Sequence, residues 1–307
     1  MSTTKMKTVS LVLGSGGARG LAHIGVIHWL EENDFKIGSI VGCSIGAVIG
    51  GVYAAGKLNE YEQWVRSITK IDIFTLLDLS WEKSGLVRGD KIINTLIKLV
   101  GEKRIEDLPF PYTAVAADIV NQKEVWIKSG SLFDAMRASF AIPLLFTPFK
   151  HKGVDLLDGG ILNPVPIAPT FGDETDLTIA VNLGGSPDGR KKPASVSTAP
   201  VNPSSPFREE INRFITRLQQ SGTSDSSRNW GAYDIAIQAF DAMQSAIARQ
   251  KLAAYPPDIV IEIARNACRT LEFDRASEMI ELGYSKAKEC LSQAVPQNAE
   301  RGTLTSQ

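Results

Sequence analysis

Little in this chain is available for metal chemistry or for a polyelectrolyte partner. Its 307 residues include three cysteines. These, Cys43, Cys268 and Cys290, are widely spaced, odd in number and in no metal-ligand pattern, so reduced, buried thiols and no bound metal are expected. An excess of either charge is also missing, with 33 basic residues against 34 acidic ones. That excludes a generally basic face for nucleic acid, and no polybasic run advertises anionic membranes. Any membrane contact therefore has to be apolar and local. The opening MSTTKMKTVSLVLGSGG offers neither a long apolar core nor a small-residue cleavage site before its glycines, so no secretory signal is expected. Long apolar runs are absent with one exception. Ile37 to Gly56 carries no charge over 20 residues, enough to span a bilayer, but its six glycines and a Gly-x-Ser-x-Gly turn fit a buried strand–turn–helix better.

What is present reads first as alternating strands and helices. Thr8–Leu13 predicts a strand that ends in a glycine cluster, and Leu21, Ile24, Ile27 and Leu30 then recur at helical spacing. Ser39–Val41 predicts a second strand, followed by a small-residue helix from Ile45 to about Ala55. Further helices are predicted at Glu60–Thr69, Gly89–Val100 and Leu132–Phe140, with strands at Tyr112–Ala117, Glu124–Lys128, Val154–Leu157 and Leu177–Leu183. The alternation implies a layered α/β domain with a largely parallel sheet. Gly184–Pro206 is rich in Pro, Ser and Gly and predicts a loop. Beyond it, helices are predicted at Phe207–Gln220, Asn229–Ala254 and Arg275–Ala294, and a strand at Asp258–Ile263 that needs the first domain's sheet to join. The expected division is a catalytic domain over 8–184, a loop over 185–206, a C-terminal extension over 207–295 and a frayed tail over 296–307.

Three motifs carry chemistry. Gly42-Cys43-Ser44-Ile45-Gly46 lies where a strand passes into a helix, and a nucleophile on such a tight turn needs small neighbours. The pentapeptide alone fits equally well a glycine-lined turn whose serine merely caps the helix. Gly14-Ser15-Gly16-Gly17-Ala18-Arg19-Gly20 also joins a strand to a helix, and such a loop turns backbone N–H groups toward one anionic point. It fails the dinucleotide fingerprint, because Arg19 stands where the third glycine belongs, and it fails the P-loop pattern for want of a following Lys-Ser/Thr pair. Arg19 suits two roles equally: neutralising a substrate phosphate or bracing the loop. Asp158-Gly159-Gly160 is either an ordinary turn aspartate or a carboxylate aimed at the serine.

Histidine order separates the mechanisms. A hydrolase triad of the α/β type runs serine, acid, histidine along the chain, but His23, His28 and His151 all precede Asp158. That order is therefore impossible here, and a Ser–Asp dyad needs no histidine. His23 and His28 are read as packing or solvated residues, and His151 as part of a polar turn. Ser139-Phe140-Ala141-Ile142-Pro143, followed by Phe146-Thr147-Pro148, is apolar and proline-bounded. It is read as a core loop, with an acyl-chain lining as the alternative.

Taken together, Gly16–Gly20, Gly42–Gly46 and Asp158–Gly160 in this order resemble the patatin-like phospholipase family. The likeness covers about residues 8 to 184. The segments GLAHIGVI, VGCSIGAVIGG, RASFAIPLLFTP and DGGILNPVPI are similar to small bacterial members related to the catalytic domain of neuropathy target esterase. Ser15 stands at the family's usual first loop glycine. The resemblance implies a three-layer α/β/α sandwich with a mostly parallel central sheet, and hydrolysis of phospholipid or lysophospholipid acyl esters. Ser44 would be the nucleophile and Asp158 its base, with the amides of Gly16, Gly17 and Ala18 as the oxyanion hole. Arg19 and Gly20 would support the loop, Gly42, Cys43, Ile45 and Gly46 the elbow, and Gly159 and Gly160 the acid turn. No cofactor is required, and the expected location is cytoplasmic, with any contact to the inner membrane peripheral. The competing function is a regulatory or adaptor protein that keeps this fold and acts by binding.

Overall fold

The computed structural model describes residues 6–76, 87–189 and 232–292. The first half runs β1 (Lys7–Leu13), α1 (Ala22–Glu32), β2 (Phe35–Cys43), α2 (Ile45–Ala54), α3 (Leu58–Ser67), α4 (Lys70–Leu76) and α5 (Asp90–Val100). It continues through β3 (Tyr112–Asp118), β4 (Lys123–Ile127), α6 (Leu132–Ser139), β5 (Phe149–His151), β6 (Val154–Asp158) and β7 (Leu177–Gly185). After the segment outside the described residues come α7 (Ala232–Ala254), β8 (Ile259–Ala264) and α8 (Ala276–Leu291).

The strands form one sheet in the order β5-β6-β3-β2-β1-β7-β8, with β4 also pairing β3. The run from β3 to β8 is parallel, whereas β4, β6 and β5 join antiparallel. Parallel strands covered on both faces read as continuous apolar runs, as in TVSLVL and YTAVAA. At the far edge, β8 alternates instead, with Ile261 and Ile263 buried and Glu262 between them exposed.

Two clusters of buried side chains define the layers. The larger gathers Val9, Leu11 and Leu13 of β1 with Ile24 and Ile27 of α1, Ile49 of α2, Met136 of α6 and Met279 of α8. Burying one such side chain fully contributes about 1.5–3 kcal/mol. Val12 and Ala180, on the other face, meet Val165, Ile167 and Ala248 of α7. The molecule is thus a three-layer α/β/α sandwich, with α7 on the second face of the sheet among the described residues. β8 hydrogen-bonds to β7, and α8 packs on α1, so residues 259–291 share the same sheet and the same core.

The predicted elements mostly shift at their ends. Ser39–Val41 extends to Phe35–Cys43, and Glu60–Thr69 becomes Leu58–Ser67. β5 and α4 had no expectation, because three- and seven-residue elements are too short to show a period. His151 lies in β5, not in a turn. The uncharged stretch from Ile37 is β2, a turn and α2, and among the described residues no helix is long and apolar enough to cross a membrane. Cys43 and Cys268 are buried free thiols, but Cys290 is exposed, contrary to expectation, on the solvent side of the amphipathic α8. The predicted helix at Phe207–Gln220, most of the Gly184–Pro206 loop and the tail from 296 lie outside the described residues.

Candidate active site

Ser44 sits at the carboxyl end of β2, beside the carboxyl end of β1, where ligands gather in parallel α/β sheets. Its backbone angles, φ 57° and ψ −123°, lie in a region that a side chain seldom occupies. This strain is what throws the side chain clear of the helix that follows. Ser44 makes no side-chain cap to α2, although its carbonyl accepts from Ala47 and Val48. The helix-cap alternative for this serine is therefore not what the geometry holds. Close packing fixes the turn, because a Cβ at Gly46 would run into the Leu13 carbonyl.

Sheet register then brings the carboxylate to the serine. Cys43 is level with Val115 on one side of β3, and Asp158 is level with Ala116 on the other. Ser44 Oγ donates to Asp158 Oδ2 at 2.5 Å, while Asp158 Oδ1 accepts from the Gly160 amide at 2.7 Å. Burial pushes the Asp158 carboxyl up to about 7, and the hydrogen bonds from Ser44 and Gly160 only partly offset that. A carboxyl near neutrality is poised to take and return a proton. The neighbouring Cys43 thiol is no competing nucleophile, since burial and then the Asp158 charge push its pKa well above the ordinary thiol value.

The end of α6 and the residues just after it brace both partners. Ser139 Oγ accepts from the Ser44 amide at 2.9 Å and donates to the Val115 carbonyl at 2.6 Å. The Ala141 carbonyl accepts from the Asp158 amide at 3.0 Å. Of the stretch Ser139–Pro143, only Ile142 reaches the cavity over Ser44. The core-loop reading thus describes its packing, but its polar groups are what hold the site.

The glycine loop lines the same cavity through Ser15, Gly16, Gly17 and Arg19. Its amides do not all point inward. Ser15 N–H donates to the Pro164 carbonyl at 2.8 Å, and Ala18 N–H to the Thr270 carbonyl at 2.9 Å. This corrects the expectation for Ala18: Gly17 takes φ +58°, a left-handed turn that aims the next amide at Thr270. Arg19 braces the loop. Its Nε donates to the Gly16 carbonyl at 3.0 Å and its Nη1 to the Arg265 carbonyl at 2.8 Å, while Nη2 lies 3.7 Å from the Asp241 carboxylate. His23 is also tied to the loop, with Nε2 2.9 Å from the Gly14 carbonyl. Burial lowers its pKa to about 4, so the ring is neutral, and a carbonyl partner requires the proton on Nε2. His28 pairs with Glu62 at 2.5 Å. His151 pairs with Val154 in the β5–β6 ladder, four residues and roughly 13 Å along the strand from Asp158.

Sequence reasoning missed the groups that close the cavity from the C-terminal side: Ile237, Phe240, Asp241 and Gln244 of α7, and Thr270. Main-chain carbonyls such as those of Thr270 and Arg265 have no residue signature, so no motif search finds them. A larger cavity of about 290 Å³ lies between α3 and α4. Its polar members are occupied locally, with Ser67 on the Trp64 carbonyl, Thr75 on the Ile71 carbonyl and Asp72 accepting from Thr69. Among the described residues, no serine or threonine that lines it donates to a carboxylate.

A family model described as patatin-like phospholipase matches residues 11–171. An uncharacterized NTE family protein of Mycobacterium tuberculosis is 40% identical, with 92% of this chain and 91% of that protein covered. Lysophospholipase NTE1 of Coccidioides immitis is 29% identical over 93% of this chain but 18% of its own length. Human patatin-like phospholipase domain-containing protein 6 is 34% identical over 58% of this chain and 13% of its own.

Proposed function

This chain belongs to the patatin-like phospholipase family and is a lipid acyl hydrolase, and we propose that Ser44 is its nucleophile and Asp158 its base. The observation that carries this is the 2.5 Å hydrogen bond from Ser44 Oγ to Asp158 Oδ2 inside a cavity whose lining includes no histidine among the described residues. The Asp158 carboxylate takes the Ser44 proton as Oγ attacks the ester carbonyl, and the amides of Gly16 and Gly17 receive the oxyanion. Collapse of the tetrahedral intermediate breaks the acyl–oxygen bond, and Asp158 returns the proton to the leaving alcohol. Water then attacks acyl-Ser44 with Asp158 again as base, which releases the carboxylic acid and restores the serine.

The substrate proposed is a phospholipid or lysophospholipid acyl ester, on the strength of the family model's description and of the lysophospholipase named in Coccidioides immitis. The proposed setting is cytoplasmic, with peripheral contact to lipid. A fluorophosphonate probe tests the assignment: the adduct should map to Ser44 and vanish in Ser44→Ala. An adduct that persists in Ser44→Ala removes it.

A further inference from the structure

The cavity over Ser44 holds about 30 Å³, room for little more than a water molecule, yet the substrate is a lipid ester. Its roof is α7, and the two halves of that helix are held differently. The C-terminal half is pinned: Ala248 lies in the core beside Val12 and Val165, and Lys251 pairs with Glu124 at 2.7 Å. Over the site, the ties to the glycine loop are longer. Asp241 stands 3.7 Å from Arg19, and Gln244 accepts from Ser15 at 3.4 Å.

Between Ile235 and Ala246 the inward side of this helix mixes apolar and polar groups, with Ile237, Phe240, Asp241 and Gln244 all lining the cavity. Gln244 and Ser245 are buried, whereas every exposed position in this span is apolar: Ile235, Ala239, Ala242 and Met243. A surface helix ordinarily shows the opposite pattern. Ile235 and Met243 are 52% and 56% exposed.

We propose that this outer face of α7 docks on the surface of a lipid aggregate, and that docking lifts the N-terminal half of α7 from Ser44. The inference rests on Ser44 being the nucleophile under that roof. A lipid surface fits better than a folded partner for two reasons. The exposed positions carry no charge or hydrogen-bonding side chain with which to specify a protein, and the helix that bears them covers the site of a substrate that is itself a lipid. Apolar burial on one side thus compensates the loss of the α7 contacts on the other.

The test is the rate of fluorophosphonate labelling of Ser44, with and without vesicles of ether-linked phosphatidylcholine, which has no acyl ester to compete. Vesicles should accelerate labelling about tenfold in the natural chain. Ile235→Lys with Met243→Lys should abolish the acceleration and leave the vesicle-free rate unchanged. Asp241→Asn should raise the vesicle-free rate by loosening the roof. If the lysine pair does not fold, Ile235→Ser with Met243→Ser replaces it. An unaccelerated natural chain, or a lysine pair accelerated as much as the natural chain, overturns the proposal. So does a lysine pair that breaks up a dimer, because the face then belongs to a second copy. If Ser44 labels under no condition, the nucleophile assignment fails by itself. Vesicle flotation then still decides docking: the natural chain should float and the lysine pair should not, and a natural chain that stays down refutes it.

Discussion

The floor and the roof of the Ser44 cavity are built by different physics. The floor consists of strand ends and their turns, with Ser44, Asp158 and the glycine loop locked by sheet register and by buried hydrogen bonds from Ser139 and Gly160. The roof is α7, which meets the loop through a 3.7 Å ion pair of Asp241 with Arg19 and a 3.4 Å hydrogen bond from Ser15 to Gln244. A constellation that moves protons has to be held to a fraction of an ångström, whereas a cover has only to be removable. The contrast assigns chemistry to the floor and access to the roof.

The comparison breaks most visibly at the floor. Ser44→Ala should lower hydrolysis of a soluble p-nitrophenyl ester by roughly 10⁴-fold or more, because removal of a nucleophile leaves only oxyanion stabilisation and binding. Asp158→Asn should cost about 10²- to 10⁴-fold, the usual worth of a general base. The same variant should be more stable. In the folded chain Asp158 ionises near pH 7, and in the unfolded chain near the ordinary carboxylate value of about 4. The unfolded state therefore releases its proton first, and the natural chain loses stability as pH rises between these values. Thermal melts should show no advantage for Asp158→Asn near pH 4 and a growing one up to pH 7, of roughly 4 kcal/mol at most.

Smaller effects sharpen the picture. Gly17→Ala puts a Cβ against the Thr270 carbonyl at a left-handed φ, so kcat should fall about 10²-fold through the displaced oxyanion amides. Ser139→Ala leaves the Ser44 amide and the Val115 carbonyl buried without their partner. Unfolding titrations should show a loss of about 1–3 kcal/mol, with kcat falling more than KM changes. At the bottom of the scale, His28→Ala and His151→Ala should leave kcat/KM within about twofold, since neither ring lines the cavity.

Much of the floor was legible in the sequence because each part has a chemical signature. Gly46 and Gly17 mark places where backbone crowds or turns left-handed, and the order of Asp158 after every histidine excludes the usual triad. The strand–helix alternation likewise yields the parallel sheet, since apolar runs such as TVSLVL have to be covered on both faces. What was illegible depends on long-range register or on main-chain groups. Ala18 was expected to supply an oxyanion amide, but the direction of an amide depends on the φ of Gly17 and on a carbonyl at Thr270, far along the chain. His23 read as a packing residue, and only the fold shows its ring against the Gly14 carbonyl. Ser139 lies in an apolar stretch whose pattern speaks of core, while its hydroxyl serves the elbow. The roof escaped for a related reason: Gln244 and Asp241 look like the solvated side of a long helix until the glycine loop is placed beneath them.

The central claim is that Asp158 acts on Ser44 directly. The most direct measurement is the pH dependence of fluorophosphonate labelling in the natural chain, in Asp158→Asn and in the double variant His28→Ala, His151→Ala. The account predicts a rate that rises with pH through a midpoint near 7, because the Asp158 carboxyl must lose its proton before it can accept that of Ser44. The histidine variant should reproduce that curve, and Asp158→Asn should be slow and flat across it. A midpoint that disappears in the histidine variant but persists in Asp158→Asn would contradict the dyad.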